Sequence, residues 1–198
     1  MKSDSTIKSS FCAIIFSLVI CFVGQAQNIP TVTSVTSPTS RDLYSVYFSS
    51  STNGVAVGDS VILHYNGSSW ATVPVPVNGR LEGVHFPTAT TGYIVGIDRG
   101  GSSKTYVLQT TNGGTSWTNV AADTLSENLH AVFFTSADTG FAVGEGVVLK
   151  TVNGGTFWSY SVNDNYSYRS VFFPSKDTGY AAGDEFIRLP DLGTKKTL

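Results

Sequence analysis

Four times along the chain a short apolar stretch ends in an aromatic residue, and each time the same order of polar and apolar positions follows. The stretches are Leu43-Tyr44-Ser45-Val46-Tyr47-Phe48, Leu81-Glu82-Gly83-Val84-His85-Phe86, Leu129-His130-Ala131-Val132-Phe133-Phe134 and Tyr168-Arg169-Ser170-Val171-Phe172-Phe173. The valine and the final aromatic are two apart and so share one face of a strand. Between them stands Tyr47, His85, Phe133 or Phe172, which makes the other face mostly aromatic as well. A strand apolar on both faces is expected where a sheet lies between neighbouring sheets. Polar turns come next, at Thr52-Asn53-Gly54, Thr91-Gly92, Asp138-Thr139-Gly140 and Asp177-Thr178-Gly179. A second strand then closes on glycine: Val55-Ala56-Val57-Gly58, Tyr93-Ile94-Val95-Gly96, Phe141-Ala142-Val143-Gly144 and Tyr180-Ala181-Ala182-Gly183. The third strand is Val61-Ile62-Leu63, Tyr106-Val107-Leu108, Val147-Val148-Leu149 or Phe186-Ile187. It leads into an Asn-Gly turn, a strong turn signal, and the three tryptophans of the chain, Trp70, Trp117 and Trp158, each open a fourth strand. Beyond residue 26 no stretch keeps apolar side chains at helical spacing, so no helix is predicted there.

A period of about 40 residues with four short antiparallel strands per unit is the pattern of a propeller blade. The chain therefore reads as all-β: a propeller-like array of about four four-stranded antiparallel blades, either an incomplete ring or part of a larger one. The units divide at about 43–80, 81–128, 129–167 and 168–198. The turn positions that define them are Asn66 and Trp70, Asn112, Gly114 and Trp117, Asn153, Gly155 and Trp158, and a fourth copy at Asp191 and Gly193 that lacks its tryptophan.

The phrase Thr110-Thr111-Asn112-Gly113-Gly114-Thr115-Ser116-Trp117 resembles the Asp-box, or BNR, repeat. The whole unit, from the Leu-Val-Phe opening to Asn-Gly-Gly-x-x-Trp, is similar to the photosystem II stability/assembly factor family of β-propellers, which has secreted bacterial relatives unconnected with photosynthesis. The resemblance spans residues 43–198. It implies a propeller of more than four blades and a non-enzymatic, assembly-factor-like role. The chain departs from the pattern in three ways. Asparagine replaces the box aspartate everywhere except at Asp191, the first box is one residue short, and the last has no tryptophan. Asparagine still bonds nearby backbone amides, so the turn is expected to survive.

An open array leaves two apolar end faces wet, which forfeits on the order of 10 kcal/mol. Ring closure, self-association or further blades would each relieve this. Thr31-Val32-Thr33-Ser34-Val35, within the segment 27–42, stands about as far before Leu43 as Trp70 stands before Leu81, and could add an outer strand to the last blade. A curved array with incomplete closure is the expectation.

Residues 1–26 read as an export signal: Lys2 and Lys8, an apolar run from Phe11 to Val23, then Gly24-Gln25-Ala26 before a cut at Gln27. Ile20 is too bulky for a lipoprotein box at Cys21. The expected location is secreted, periplasmic or at the cell surface, with no transmembrane segment after cleavage. Cys12 and Cys21, the only cysteines, fall inside the signal. The mature chain thus has no disulfide, thiol nucleophile or cysteine metal site. Removing Lys2, Lys8 and Asp4 from the 12 basic and 14 acidic residues leaves 10 and 13, a net charge of −3. With no basic cluster, nucleic acid is not an expected partner.

The candidate chemistry is sparse. Asp138-Thr139-Gly140 and Asp177-Thr178-Gly179 spell the aspartic-protease signature, but the same turn lacks an acid in the first two units, and a turn explains both. A sialidase-like glycoside hydrolase, or a fragment of one, is the rival enzyme reading, because Asp-boxes occur in sialidases. Its converging arginines would have to come from Arg41, Arg80, Arg99, Arg169 and Arg188, none of which lies in a catalytic motif. His64, His85 and His130 have no metal-ligand spacing, and His85 stands where a packed aromatic is expected. Asn66-Gly67-Ser68 and Asn165-Tyr166-Ser167 match the glycosylation acceptor pattern. The acids after each second-strand glycine, Asp59, Asp98, Glu145, and Asp184 with Glu185, are expected on one rim. The turns into each first strand, with Arg41, Arg80, Glu127 and Arg169, share it. This mixed rim is the candidate binding surface, for a protein first and a glycan second. No cofactor, metal site or catalytic residue is expected.

Overall fold

The computed structural model describes residues 33–99, 104–120 and 126–189, without the side chains of 163–165, 186 and 188. The chain divides into two units, Met1–Thr36 and Ser37–Leu198. The expected signal at 1–26, Thr31, Val32, Asp191 and Gly193 lie outside the described residues. Residues 33–36 of the first unit are exposed and carry no strand.

The second unit is all-β among the described residues. A first sheet has the order β1 (Leu43–Ser50), β2 (Asn53–Gly58), β3 (Val61–Tyr65), β4 (Trp70–Val73). A second has the order β5 (Gly79–His85), β6 (Gly92–Asp98), β7 (Thr105–Thr110), β8 (Thr118–Asn119). A third runs β13 (Phe186–Leu189), β12 (Thr178–Gly183), β11 (Ser159–Ser175), β10 (Gly140–Thr151), β9 (Leu129–Phe134). All ladders are antiparallel. Each of the first two sheets is a meander of neighbours in sequence. The third differs because two strands run through from one repeat element to the next. The first half of β10 pairs with β9 and its second half with β11, with Gly146 at φ 67° between them. Likewise β11 pairs with β10 over Ser159–Val162 and with β12 over Tyr168–Ser175.

The apolar periodicity explains the packing. Residues two apart face the same neighbour, so successive repeats share cores, two of them between sheets and the third between the two halves of the third sheet. Val55, Val57 and Ile62 meet Leu81, Val84, Phe86, Ile94 and Leu108 in one core. Tyr93, Val95 and Val107 meet Leu129, Val132, Phe134 and Leu149 in the next. Phe141, Val143 and Val148 meet Tyr168, Val171, Phe173 and Ala181 in the third. The aromatic column of the first strands forms a continuous arc, with ring centroids at 5.0 Å for Tyr47–His85, 4.7 Å for His85–Phe133 and 5.5 Å for Phe133–Phe172.

The glycine that ends each second strand is a close-approach residue. A Cβ on Gly58, Gly96, Gly144 or Gly183 would fall onto the carbonyl oxygen of Asp42, Arg80, Asn128 or Ser167, the residue entering the adjacent first strand. No other side chain permits that approach.

The two ends of the array are open. Val46 and Phe48 are 58% and 49% exposed, whereas the equivalent Val84, Phe86, Val132, Phe134, Val171 and Phe173 are buried. At the far end Phe172 is 60% exposed. These faces do not cover one another, so among the described residues the array is unclosed.

Candidate functional site

The Asn-Gly turns are built by their own side chains. Asn112 Oδ1 accepts from the Ser116 amide at 3.0 Å and the Thr110 hydroxyl at 2.8 Å, and its Nδ2 donates to Ser116 Oγ at 2.8 Å. Thr110 Oγ1 accepts from the Gly114 amide at 3.1 Å. Asn153 repeats the pattern with Phe157 and Thr151, both at 3.0 Å, and Thr151 Oγ1 accepts from the Gly155 amide at 2.9 Å. In the shorter first turn Asn66 Oδ1 accepts from the Ser68 and Ser69 amides at 3.1 and 3.0 Å. An acceptor oxygen is what each turn requires, and asparagine supplies it as aspartate would. Trp117 donates to the Gly114 carbonyl at 3.1 Å and meets Phe86 edge-on. Trp158 meets Tyr93 and Phe134 edge-on, and Trp70 packs with Tyr65 and Phe48 on the open end. These residues are occupied in holding the fold.

The rim is a different kind of site. The residues after the second-strand glycines do lie beside the turns into the first strands, because their amides bond there: Asp59 to Asp42 O at 3.0 Å, Glu145 to Asn128 O at 2.9 Å and Asp184 to Ser167 O at 2.9 Å. Immediately inside these turns every first strand has a register shift, between Leu43 and Ser45, Leu81 and Gly83, Leu129 and Ala131, and Tyr168 and Ser170. The residue passed over is Tyr44, Glu82, His130 or Arg169. A bulge leaves its extra residue outside the ladder and re-aims its side chain, and bulges are common beside functional sites. The valine and terminal-aromatic columns of the same strands keep one residue type, Val46, Val84, Val132 and Val171, and Phe48, Phe86, Phe134 and Phe173. Here four equivalent bulges carry four different chemistries.

Three of the four are joined by direct contacts or by charge. Glu82 Oε2 and His130 Nδ1 are 2.5 Å apart, and both side chains are largely buried. Glu82 Oε1 pairs with Arg80 Nε at 3.1 Å, and the Arg80 guanidinium lies 4.2 Å from the centre of the Tyr44 ring. His130 Nε2 is buried without a hydrogen bond, 3.7 Å from Glu145 Oε1, while Glu145 is half exposed and accepts from Asn128 Nδ2 at 2.7 Å. Burial alone would push the Glu82 carboxyl up. The hydrogen bond and charge of His130, with the charges of Arg80 and Arg169, outweigh it and hold that carboxyl below its ordinary value. Glu82 is thus an ionised anchor. Arg80, Arg169, Glu145 and Tyr44 surround it with groups that reach solvent.

The other rim residues are distributed as follows. Asp59 pairs with Arg99 at 2.6 Å, and Arg41 donates to the carbonyls of Asp59 and Ser60 at 2.9 and 3.3 Å. Asp98 accepts from the Tyr106 hydroxyl at 3.1 Å. Glu127 offers its carbonyl to the Thr105 hydroxyl at 2.7 Å. Asp184 accepts from the Ser167 amide at 3.2 Å, and Glu185 is exposed. The partners given for Asp98 and Asp184, Tyr106 and Ser167, lie outside the Glu82 cluster. Sequence reasoning did not single out Tyr44, Glu82 and His130 as a group. Comparing the four repeats column by column for the position that changes charge would have found them.

His85 behaves as a core residue. Its ring lies against Tyr47 and Phe133, and its Nδ1 accepts from the Phe134 amide at 3.3 Å. Burial lowers it to about 4. His64 Nε2 is 2.7 Å from Asn53 Oδ1. Among the described residues no group of three or more His, Cys, Asp or Glu side chains could hold a metal ion, and no helix is long and apolar enough to cross a membrane.

The comparisons with known proteins agree with this architecture. The model of the family described as photosynthesis system II assembly factor YCF48 matches residues 64–167, more than half of the chain. The structure is similar to that of YCF48 bound to a D1 peptide, with a TM-score of 0.65 at 19% identity over 85% of this chain and 60% of that one. It is similar to YCF48 from Cyanidioschyzon merolae, with a TM-score of 0.59 at 17% identity over 74% of this chain and 50% of that one. An ancestral GH74 enzyme also matches, with a TM-score of 0.59 at 18% identity over 82% of this chain and 26% of that one. The chain thus spans less than two thirds of the length of each. No curated protein matches the chain.

Proposed function

The chain belongs to the family of the photosynthesis system II assembly factor YCF48, and from that premise we propose that it is an exported, non-enzymatic scaffold whose rim binds a peptide segment of a partner protein. One observation carries the reading. Four structurally equivalent bulges present Tyr44, Glu82, His130 and Arg169, four different side chains, at one end of the first strands. The valine and aromatic columns beside them, which build the cores, keep one residue type at each copy. A row that differs copy by copy is what an asymmetric ligand requires.

The chemistry suits an extended segment with both charges and an apolar side chain. Half-buried Arg80 and exposed Arg169 are placed for carboxylates, Glu145 for an amine or guanidinium, and the Tyr44 ring for an apolar or cationic group. Buried Glu82 and His130 fix the arrangement from below. A relative in the family is known with a D1 peptide bound, which supports a peptide as the class of partner. A glycan is the second candidate ligand. Export rests on residues 1–26, and places the protein outside the cytoplasm, in the periplasm or at the cell surface.

The likeness to a GH74 enzyme supports a hydrolase reading at the level of fold only. Two features weigh against it at this rim. The imidazole of His130 fills the space between Glu82 and Glu145, where a sugar would have to lie. The Glu82 carboxyl is held low, whereas a general acid is raised.

The test is selection of a phage-displayed library of random linear peptides on the exported chain, followed by affinity measurement. Enriched peptides are expected to lose about tenfold in affinity, about 1.4 kcal/mol, on Arg80→Ala or Arg169→Ala. Enriched peptides that bind these variants as well as they bind the wild type refute the rim as the site. Hydrolysis of sialosides or common polysaccharides refutes the non-enzymatic reading.

A further inference from the structure

Asparagine followed by glycine, the pair with least hindrance to attack on the side-chain amide, stands at Asn53, Asn66, Asn78, Asn112 and Asn153. The reaction is intramolecular. The glycine amide nitrogen gives its proton to a base and bonds to the asparagine Cγ. The Cγ–Nδ2 bond then breaks, and ammonia leaves with a proton. Water opens the resulting succinimide ring. Attack at Cγ gives aspartate, and attack at the backbone carbonyl carbon gives isoaspartate, whose main chain runs through Cγ. One water is consumed and one ammonia released. The attacking nitrogen must be free, the Asn-Gly peptide plane must be able to turn, and the side-chain amide must be able to leave.

Four of the five sites are held against this. Gly54 lies in ladders opposite Phe48 and Tyr65, and Gly79 in a ladder opposite Asp98. Asn53 Nδ2 also donates to Ser49 Oγ and to the Gly113 carbonyl, at 2.7 and 3.1 Å. At Asn153 the Gly154 amide donates to Asp138 O at 2.9 Å, and the Asn153 carbonyl accepts from the Thr156 hydroxyl at 3.0 Å. That peptide plane is pinned through both its amide and its carbonyl. At Asn112 the same two bonds recur, from the Gly113 amide to Thr90 O at 2.8 Å and from Thr115 Oγ1 to the Asn112 carbonyl at 3.2 Å. There the departing Nδ2 is held as well, donating to Ser116 Oγ at 2.8 Å.

Asn66 stands in the turn that is one residue short, and is exposed. Among the described residues no protein group accepts from the Gly67 amide or from Asn66 Nδ2, and none donates to the Asn66 carbonyl. What remains is the hold on the side-chain oxygen, by the Ser68 and Ser69 amides at 3.1 and 3.0 Å. Two N–H groups aimed at that oxygen stabilise the negative charge it gains during attack. We propose that Asn66 is a self-modifying site, where the folded chain converts its own asparagine to aspartate and isoaspartate with water as co-reactant. The aspartate carries the acid of the Asp-box pattern and keeps an oxygen for the two amides. Its charge arises beside Tyr65, Trp70 and Phe48, which pack together at the open end.

The full chain is incubated at mildly alkaline pH, folded and in urea, and each Asn-Gly peptide is followed by mass spectrometry. Each hydrogen bond that must break slows the reaction about fivefold. In the folded chain Asn66 is expected to convert about thirtyfold faster than Asn153, with Asn112 slower again and Asn53 and Asn78 also behind Asn66. In urea the five sites are expected to convert at similar rates. Ser116→Ala frees Asn112 Nδ2 and is expected to raise the rate at Asn112 about fivefold, leaving that at Asn66 unchanged. Conversion of Asn112 or Asn153 as fast as Asn66 in the folded chain overturns the proposal. The same order of rates in urea also overturns it, because local sequence would then set the order. So does a rate at Asn112 that Ser116→Ala leaves unmoved.

Discussion

Acid should loosen the fold through one side chain, His85. Its ring sits in the aromatic arc between Tyr47 and Phe133, and its Nδ1 accepts a hydrogen from the Phe134 amide. Both features require neutral imidazole, and burial accordingly depresses it from 6.5 to about 4. In the unfolded chain the same group takes a proton near 6.5. Between those values the unfolded state binds more protons, so stability rises with pH there. His85's contribution is complete above about pH 6.5 and is lost as pH falls towards 4. The shift amounts to about 3 kcal/mol over that window. Carboxylates titrate in the same range, so a wild-type profile alone does not isolate it. The comparison is with His85→Phe, the residue found at the equivalent positions 133 and 172. That variant leaves the Phe134 amide without its acceptor and is expected to be about 1–2 kcal/mol less stable at neutral pH. Its stability should nevertheless fall by about 3 kcal/mol less than that of the wild type between about pH 7 and pH 4, measured by urea unfolding at intervals across the range. Parallel profiles for the two proteins would refute the reasoning.

Four further substitutions, at three positions, probe the turns and the rim. Gly114 has φ 96° and a Cβ there would lie 2.6 Å from Val55, so Gly114→Ala should cost about 2 kcal/mol or more in urea unfolding. Asn112→Ala removes the acceptor for the Ser116 amide and should cost about 1–2 kcal/mol. Asn112→Asp keeps that oxygen and should remain within about 0.5 kcal/mol of the wild type, while a cost equal to that of alanine would show that the lost donor to Ser116 matters more. Glu82→Gln leaves His130 without its charged partner and should destabilise by about 1–3 kcal/mol. Because the Glu82 carboxyl is held low, its contribution is present above its ordinary value and lost as pH falls through the lowered one. The variant should therefore show a flatter acid limb in thermal melts below about pH 4.5.

Much of the architecture was legible in the columns of the repeat. The alternation of Val84 with Phe86, or Val132 with Phe134, announces burial on one face, and His85 and Phe133 announce it on the other. The Asn-Gly phrases announce turns that the side-chain oxygens of Asn112 and Asn153 then hold. Other features follow from three-dimensional adjacency and leave no local signal. Glu82 and His130 are 48 residues apart and become partners only because successive first strands lie side by side. The bulge that aims them depends on the ladder register, which no single strand specifies. Asp59, expected among the binding acids, is tied to Arg99 from the following repeat, and Arg41 is turned onto backbone carbonyls. The continuity of β10 and β11 was also hidden, since their residues divide cleanly into repeat elements and only the ladders show one strand serving both.

The claim that most needs testing is that ligand recognition belongs to the bulge row and not to the Asn-Gly turns. Hydrogen exchange with and without a library-selected peptide addresses it directly. Slower exchange should be confined to the segments around Tyr44, around Arg80 and Glu82, around His130, and around Arg169, with the turns at Asn112 and Asn153 unchanged. Protection at those two turns, with none along the first-strand entries, would contradict the account.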